Sequence, residues 1–247
     1  MHLQIEDDGI LLEAELDLPE NGNKKHPLVL VIHGFTGYKE ERHILAASRT
    51  LNELGYATLR PDMYGHGASG GAFRDHTLFK WLGNMMTLID YARGLDFVTD
   101  LYLCGHSQGG LIVALAAAMK ADQIRAVIPM SPALMIPEDA RRGSILGHAF
   151  DPERPPEEIP MDEGRVLSGN YLRVARMIHV EDAYRYRGPV LLIHGDADEA
   201  VPYACSVEAE KAYENATLVT IPGDDHCYDF HLDQVTEAIR RWMPKVE

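Results

Sequence analysis

The sequence predicts an α/β domain built on a mostly parallel, doubly wound sheet with an inserted subdomain. PLVLVIHG (27–34) and PVLLIHG (189–195) are continuous apolar runs ending in glycine, the pattern of strands buried on both faces. Segments with apolar residues at helical spacing alternate with further strand-like runs. The connections between them are short, as in a parallel sheet covered by crossover helices.

In order along the chain, ILLEAELDL (10–18) alternates in part and suits an early antiparallel strand. PLVLVIHG follows as the first fully buried strand. Ile44, Ala47, Leu51 and Leu54 fall on one helical face over 43–54, and Gly55 ends that helix. YATLRPD (56–62) is the next strand. Leu78, Leu82, Met85, Ile89 and Ala92 form one stripe of a helix over 77–92. DLYLCG (100–105) reads as a strand, Gln108–Met119 as an alanine-rich helix, and IRAVIPM (124–130) as another strand. After PVLLIHG come a helix around Tyr203–Tyr213, the strand ATLVTIPG (216–223) and a last helix carrying Leu232, Val235, Ile239 and Trp242 on one face.

The alternation breaks between Met130 and Pro189, where a crossover needs only about 10–12 residues. Pro132, Pro137, Pro152, Pro155 and Pro156 punctuate the interval, IPMDEGRVLS suits a hairpin turning at 162–164, and 170–180 suits a helix. Leu134, Met135, Ile136, Ile145, Leu146, Phe150 and Tyr171 need something to cover. The expected organisation is a core of 1–131 and 187–247 with a lid subdomain over 132–186.

Lys and Arg number 23 against 38 Asp and Glu, a net charge of -15 that disfavours nucleic acid and anionic membranes as partners. The start, MHLQIEDDG, is acidic where a signal peptide would be basic, and the longest apolar run, Leu111–Met119, is short of the roughly 20 residues of a membrane span. Cys104, Cys205 and Cys227 have no paired spacing and read as reduced thiols of a cytoplasmic protein. No metal signature occurs.

Gly105-His106-Ser107-Gln108-Gly109 fits G-x-S-x-G between a strand and a helix. A sharp turn there strains the serine, and only small residues two before and two after it avoid a clash. A serine hydroxyl needs an adjacent base, and the expected order is Ser, then Asp or Glu, then His. His194-Gly195-Asp196-Ala197-Asp198-Glu199 and Gly223-Asp224-Asp225-His226 both lie just past strand ends, where open α/β sheets place their sites. His226 is the expected base. His231, its rival, falls in the last helix, and His194 reads as a buried structural histidine.

These pieces together resemble the α/β-hydrolase superfamily over nearly the whole chain. The matching motifs are His33-Gly34, Asp62-Met63-Tyr64-Gly65-His66-Gly67-Ala68-Ser69, the Gly105–Gly109 elbow, His194-Gly195-x-x-Asp198-x-x-Val201-Pro202 and Gly223-x-x-His226. The resemblance implies the α/β-hydrolase fold and a triad of Ser107, Asp198 and His226, with Asp196 as a turn former. It also implies an oxyanion hole from the N–H groups of Phe35 and Gln108. HGFTG, GHSQGG and the long insertion after SPA are most similar to the feruloyl and cinnamoyl esterases of gut bacteria. That resemblance implies a serine esterase releasing hydroxycinnamic acids, with Asp139 (beside Glu138) and Tyr171 of the lid as substrate-binding residues. It implies no cofactor and a small-molecule aromatic ester as partner, with a homodimer left open. The alternatives are a monoacylglycerol-lipase-like enzyme or general carboxylesterase, then a C–C bond hydrolase or a non-catalytic ligand receptor.

Overall fold

The computed structural model describes residues 1–246, the side chain of Glu163 excepted. β1 (His2–Asp7) and β2 (Ile10–Asp17) form an antiparallel hairpin with His2 opposite Glu15. Then come β3 (His26–Ile32), α1 (Arg42–Glu53), β4 (Ala57–Pro61), α2 (Leu78–Arg93), β5 (Val98–His106), α3 (Gln108–Met119) and β6 (Ile124–Met130). The insertion contains α4 (Ile136–Arg142), β7 (Ser144–Ile145), β8 (His148–Ala149), β9 (Glu158–Pro160), β10 (Val166–Ser168) and α5 (Asn170–Ala175). β11 (Val190–Gly195), α6 (Ala204–Ala212), β12 (Ala216–Ile221) and α7 (Leu232–Trp242) complete the chain.

The main sheet runs β1-β2-β4-β3-β5-β6-β11-β12. β2 meets β4 antiparallel, and every pairing from β4 to β12 is parallel. The chain leaves β3 for β4 on one side and returns to β5 on the other. The strand order therefore reverses between β3 and β5, and a crevice opens at their C-terminal ends. His33-Gly34 leaves β3 there, and Ser107 leaves β5 there.

Strand periodicity divides the core into two layers. Leu28, Leu30 and Ile32 of β3 face α2 and α3, whereas Val29 and Val31 face α1 and α7. α3 is buried from Gln108 to Ala117, so alanine lets it sit close against the sheet. The insertion packs on the α2–α3 side: Ile136, Ile145, Ile159, Leu167, Tyr171, Leu172 and Ile178 belong to the same apolar layer as Trp81 and Leu111.

The hairpin over 158–168 pairs Val166 with Pro160 across a turn at 162–164, as expected. The helix expected over 170–180 is shorter. After Ala175 the backbone tightens to three-residue bonds, Met177 N–H to the Val174 carbonyl and Ile178 N–H to that of Ala175. His231 stands at the N-cap of α7 and not within it.

Candidate active site

Ser107 sits at φ 56° and ψ −121°, a strained conformation for a side-chain-bearing residue. The flanking glycines make this turn possible. A Cβ on Gly105 would lie 2.4 Å from the Gly109 carbonyl oxygen, and one on Gly109 would lie 2.3 Å from that of His33. Both obstacles are backbone and cannot rotate away. Ser107 N–H donates to Met130 O at 2.9 Å, and the Ala133 N–H returns a bond to Ser107 O at 3.0 Å, so the elbow is pinned to the end of β6.

The loops after β11 and β12 bring two further residues to Ser107. Ser107 Oγ lies 2.9 Å from His226 Nε2, and His226 Nδ1 lies 2.7 Å from Asp198 Oδ2. The Asp198 side chain takes no solvent exposure and is met by four donors. Its Oδ1 accepts the N–H groups of Ala200 (2.9 Å) and Val201 (2.8 Å). Its Oδ2 accepts from His194 Nε2 (3.1 Å) as well as from His226. The Ser206 hydroxyl, 2.7 Å from His194 Nδ1, fills the other side of that ring. Burial alone would raise the Asp198 pKa, but the hydrogen bonds from His194 and His226 hold it well below the usual carboxylate range.

Asp224, fully buried, organises the loop that carries His226. Its carboxylate accepts the N–H groups of Asp225, Phe230 and His231 at 3.0–3.1 Å. Asp196 accepts the Gly223 N–H at 2.6 Å and so ties the acid loop to the base loop, the turn role expected of it. His106 donates from Nε2 to the His226 carbonyl at 2.8 Å, and its ring lies tilted against that of His226 with centroids 4.7 Å apart. Burial drives the His106 pKa well below that of free histidine, which keeps it a neutral donor.

On the opposite side of Ser107, Gln108 opens α3, where helix geometry leaves the first N–H groups without intrahelical partners. The Gly37 N–H bonds the Gly34 carbonyl at 3.2 Å and closes a turn around Phe35. His66 Nε2 meets the Phe35 carbonyl, and Asp62 braces the end of the turn. Lys39 donates its backbone N–H to Asp62 Oδ1 (2.8 Å) and its ammonium to Oδ2 (2.6 Å), and the Ala68 N–H also reaches Oδ2 (2.9 Å). Burial opposes ionisation of Asp62, yet these bonds pull its pKa below the ordinary value.

A cavity of about 390 Å³ opens onto Ser107 and His226. Core residues Gly34, Phe35, Glu41 and Cys227 line it on one side, and Leu146, His148, Met161, Asp162 and Arg165 of the insertion line it on the other. Among the described residues, no group of three or more His, Cys, Asp or Glu is placed to hold a metal ion.

Sequence reasoning foresaw the meeting of Ser107, His226, Asp198 and the Phe35 turn. The two lid residues expected to bind substrate stand outside the residues that line this cavity. Tyr171 does not line the cavity. It is wholly buried, its hydroxyl donates to Gln108 Oε1 at 2.6 Å, and its ring stands edge-on to Phe35 at 5.5 Å. It props the two oxyanion candidates from behind, and its proton is already committed. Asp139 does not line the cavity either. It sits half-buried on α4, where burial raises its pKa, and its charge is felt by the Cys205 thiol. Sequence reasoning also missed three supports: His194 as a second donor to Asp198, Asp224 as a loop anchor, and the Lys39–Asp62 pair. Histidine four residues before the acid was the one available hint.

Fold and site geometry define a hydrolase of the nucleophile-elbow type. A family model described as "serine aminopeptidase, S33" matches residues 23–151, more than half the chain, and one described as "TAP-like protein" matches 174–243. The chain belongs to that family, within the α/β-hydrolase superfamily. It is similar to Est1E from Butyrivibrio proteoclasticus, whose structure was solved with ferulic acid bound. The two are 60% identical with a TM-score of 0.98, over 99% of this chain and 98% of that one. Among curated proteins, the human mitochondrial palmitoyl-protein thioesterase ABHD10 is 25% identical over 209 residues. The match covers 78% of this chain but only 65% of the length of that relative. The putative esterase YitV of Bacillus subtilis is 28% identical, over 75% of this chain and 73% of that protein. No described helix is long and apolar enough to cross a membrane.

Proposed function

We propose that this protein is a serine esterase that releases hydroxycinnamic acids such as ferulate from their esters, with residues 132–186 acting as a lid over the acyl portion. The observation that carries the chemistry is the continuous hydrogen-bond line Ser107–His226–Asp198, at 2.9 and 2.7 Å. The substrate class is supported by the similarity to a protein that binds ferulic acid.

In this reading Ser107 Oγ attacks the ester carbonyl while its proton passes to His226 Nε2. Asp198 fixes the imidazole with its proton on Nδ1 and stabilises the imidazolium. The N–H groups of Phe35 and Gln108 receive the oxyanion, each worth about 2.7–4 kcal/mol at a site of this kind. When the tetrahedral species collapses, the bond to the leaving oxygen breaks and His226 Nε2–H protonates the departing alcohol. Water then attacks the acyl-enzyme, gives its proton to His226, and the acid leaves as Ser107 recovers its own. No step requires a cofactor.

Relative kcat/KM on methyl ferulate, methyl caffeate, methyl cinnamate and a monoacylglycerol tests the proposal. A preference for the three aromatic esters supports it. A preference for the monoacylglycerol overturns the substrate class and favours a lipase-like role.

A further inference from the structure

Glu41 lines the cavity at Ser107, yet the reaction as derived gives it no task. It stands at the N-cap of α1, and its side chain is only 25% exposed. The Tyr38 backbone N–H holds the carboxyl. Oε2 is left buried and has no hydrogen-bond partner among the described residues. It lies over the open face of Gly37, 2.2 Å from where a Cβ on that residue would be. The nearest candidate partner, His43 Nε2, is 3.7 Å away, too far for a hydrogen bond, and is likewise unpartnered.

The position of Glu41 says which half of an ester it would meet. The leaving oxygen must lie beside His226, because His226 protonates it. Glu41 is close enough to His226 to feel its charge, and the thiol of Cys227, next in sequence, feels Glu41. The apolar insertion residues, Leu146 and Met161, line the cavity from the other side. A buried acceptor left without a donor is unfavourable, so its natural complement is a ligand that brings one. On the alcohol side of an ester, that donor is a hydroxyl close to the ester oxygen.

We infer that Glu41 selects the alcohol portion of the substrate: its free oxygen accepts a hydrogen bond from a hydroxyl near the ester oxygen, favouring polyol or sugar leaving groups over plain alkyl ones. The inference rests on Ser107 and His226 acting as proposed, but not on the identity of the acid. A plain alkyl leaving group brings no donor and leaves Oε2 unpaired, and such differences in hydrogen bonding discriminate more strongly than apolar fit.

The test compares glyceryl monoacetate with n-butyl acetate, two esters of similar length whose acetyl group makes no demand on the lid. Wild type, Glu41→Ala and Glu41→Gln are assayed on both. Glu41→Gln keeps the size and an acceptor for the Tyr38 N–H, so the turn is preserved even if Glu41→Ala folds poorly. The expected result is a fall of about tenfold or more in the glyceryl-to-butyl ratio of kcat/KM for Glu41→Ala, the usual effect of losing a hydrogen bond to a charged group. Glu41→Gln is expected to lower the ratio several-fold. A Glu41→Gln ratio within twofold of wild type, or equal losses on both esters, overturns the inference and leaves Glu41 a support of the turn. A wild type that cleaves acetates but not ferulates would sink the hydroxycinnamate reading and leave this ratio standing.

Discussion

Replacing Tyr171 by phenylalanine separates two jobs that the residue could do. The ring stays, so packing against Phe35 and His76 is kept. The hydroxyl goes, and Gln108 Oε1 loses its 2.6 Å donor in a region with no solvent. Gln108 Nε2 already lacks a partner among the described residues, so the whole amide is stranded. An unsatisfied buried acceptor costs about 1–3 kcal/mol. For a chain of 247 residues that corresponds to a fall in Tm of roughly 2–12 °C. Thermal unfolding reads that loss, and kcat/KM on methyl ferulate and methyl cinnamate reads specificity. If Tyr171 only props Gln108, Tm drops and the ferulate-to-cinnamate ratio holds. An unchanged Tm with a collapse of that ratio would show that the hydroxyl meets the phenol and that its buried placement misrepresents its role.

The other expectations concern the triad, the elbow and acid stability. Asp198→Asn should lower kcat by about 10⁴, because the imidazole loses its tautomer, whereas Asp196→Asn should lose far less. The opposite ranking in steady-state assays would move the acid. His226→Ala should be as severe as Ser107→Ala, and an inactive His231→Ala beside an active His226→Ala would reassign the base. Gly109→Ala forces a Cβ against the His33 carbonyl and should destabilise by roughly 1–3 kcal/mol, measurable as a lower urea midpoint at constant slope. Asp62 has a folded-state pKa below its unfolded one, so its stabilisation is complete above the ordinary carboxylate value and is lost as pH falls through the folded value. Wild type and Asp62→Asn should therefore differ most near neutral pH and converge below about pH 4. A gap that stays constant with pH would mean that the Asp62 charge contributes nothing.

Most of the sheet was legible because its signals are local. PLVLVIHG and PVLLIHG show burial on both faces without any knowledge of neighbours, and they became β3 and β11. The elbow was legible because its constraint is steric and spans five residues. β7 and β8, two residues each, are shorter than any periodicity can mark. The bond from Tyr171 to Gln108 was not legible because it depends on how a proline-rich insertion settles on α3, and the two residues are 63 apart in sequence. His194 was correctly read as buried, but its bond to Asp198 appears only once the 195–201 loop has turned back on β11. Glu41 carried no motif at all. It becomes visible as a free acceptor only when the turn at 34–41 is seen beside His226.

The central claim is covalent catalysis at Ser107. Mixing the enzyme with p-nitrophenyl ferulate and quenching in acid within the first turnover allows the protein to be digested and weighed by mass spectrometry. The account predicts a burst of p-nitrophenol matched by a feruloyl adduct on the peptide that contains Ser107, with both absent in Ser107→Ala. A full burst with no adduct, or an adduct on another residue, would contradict it.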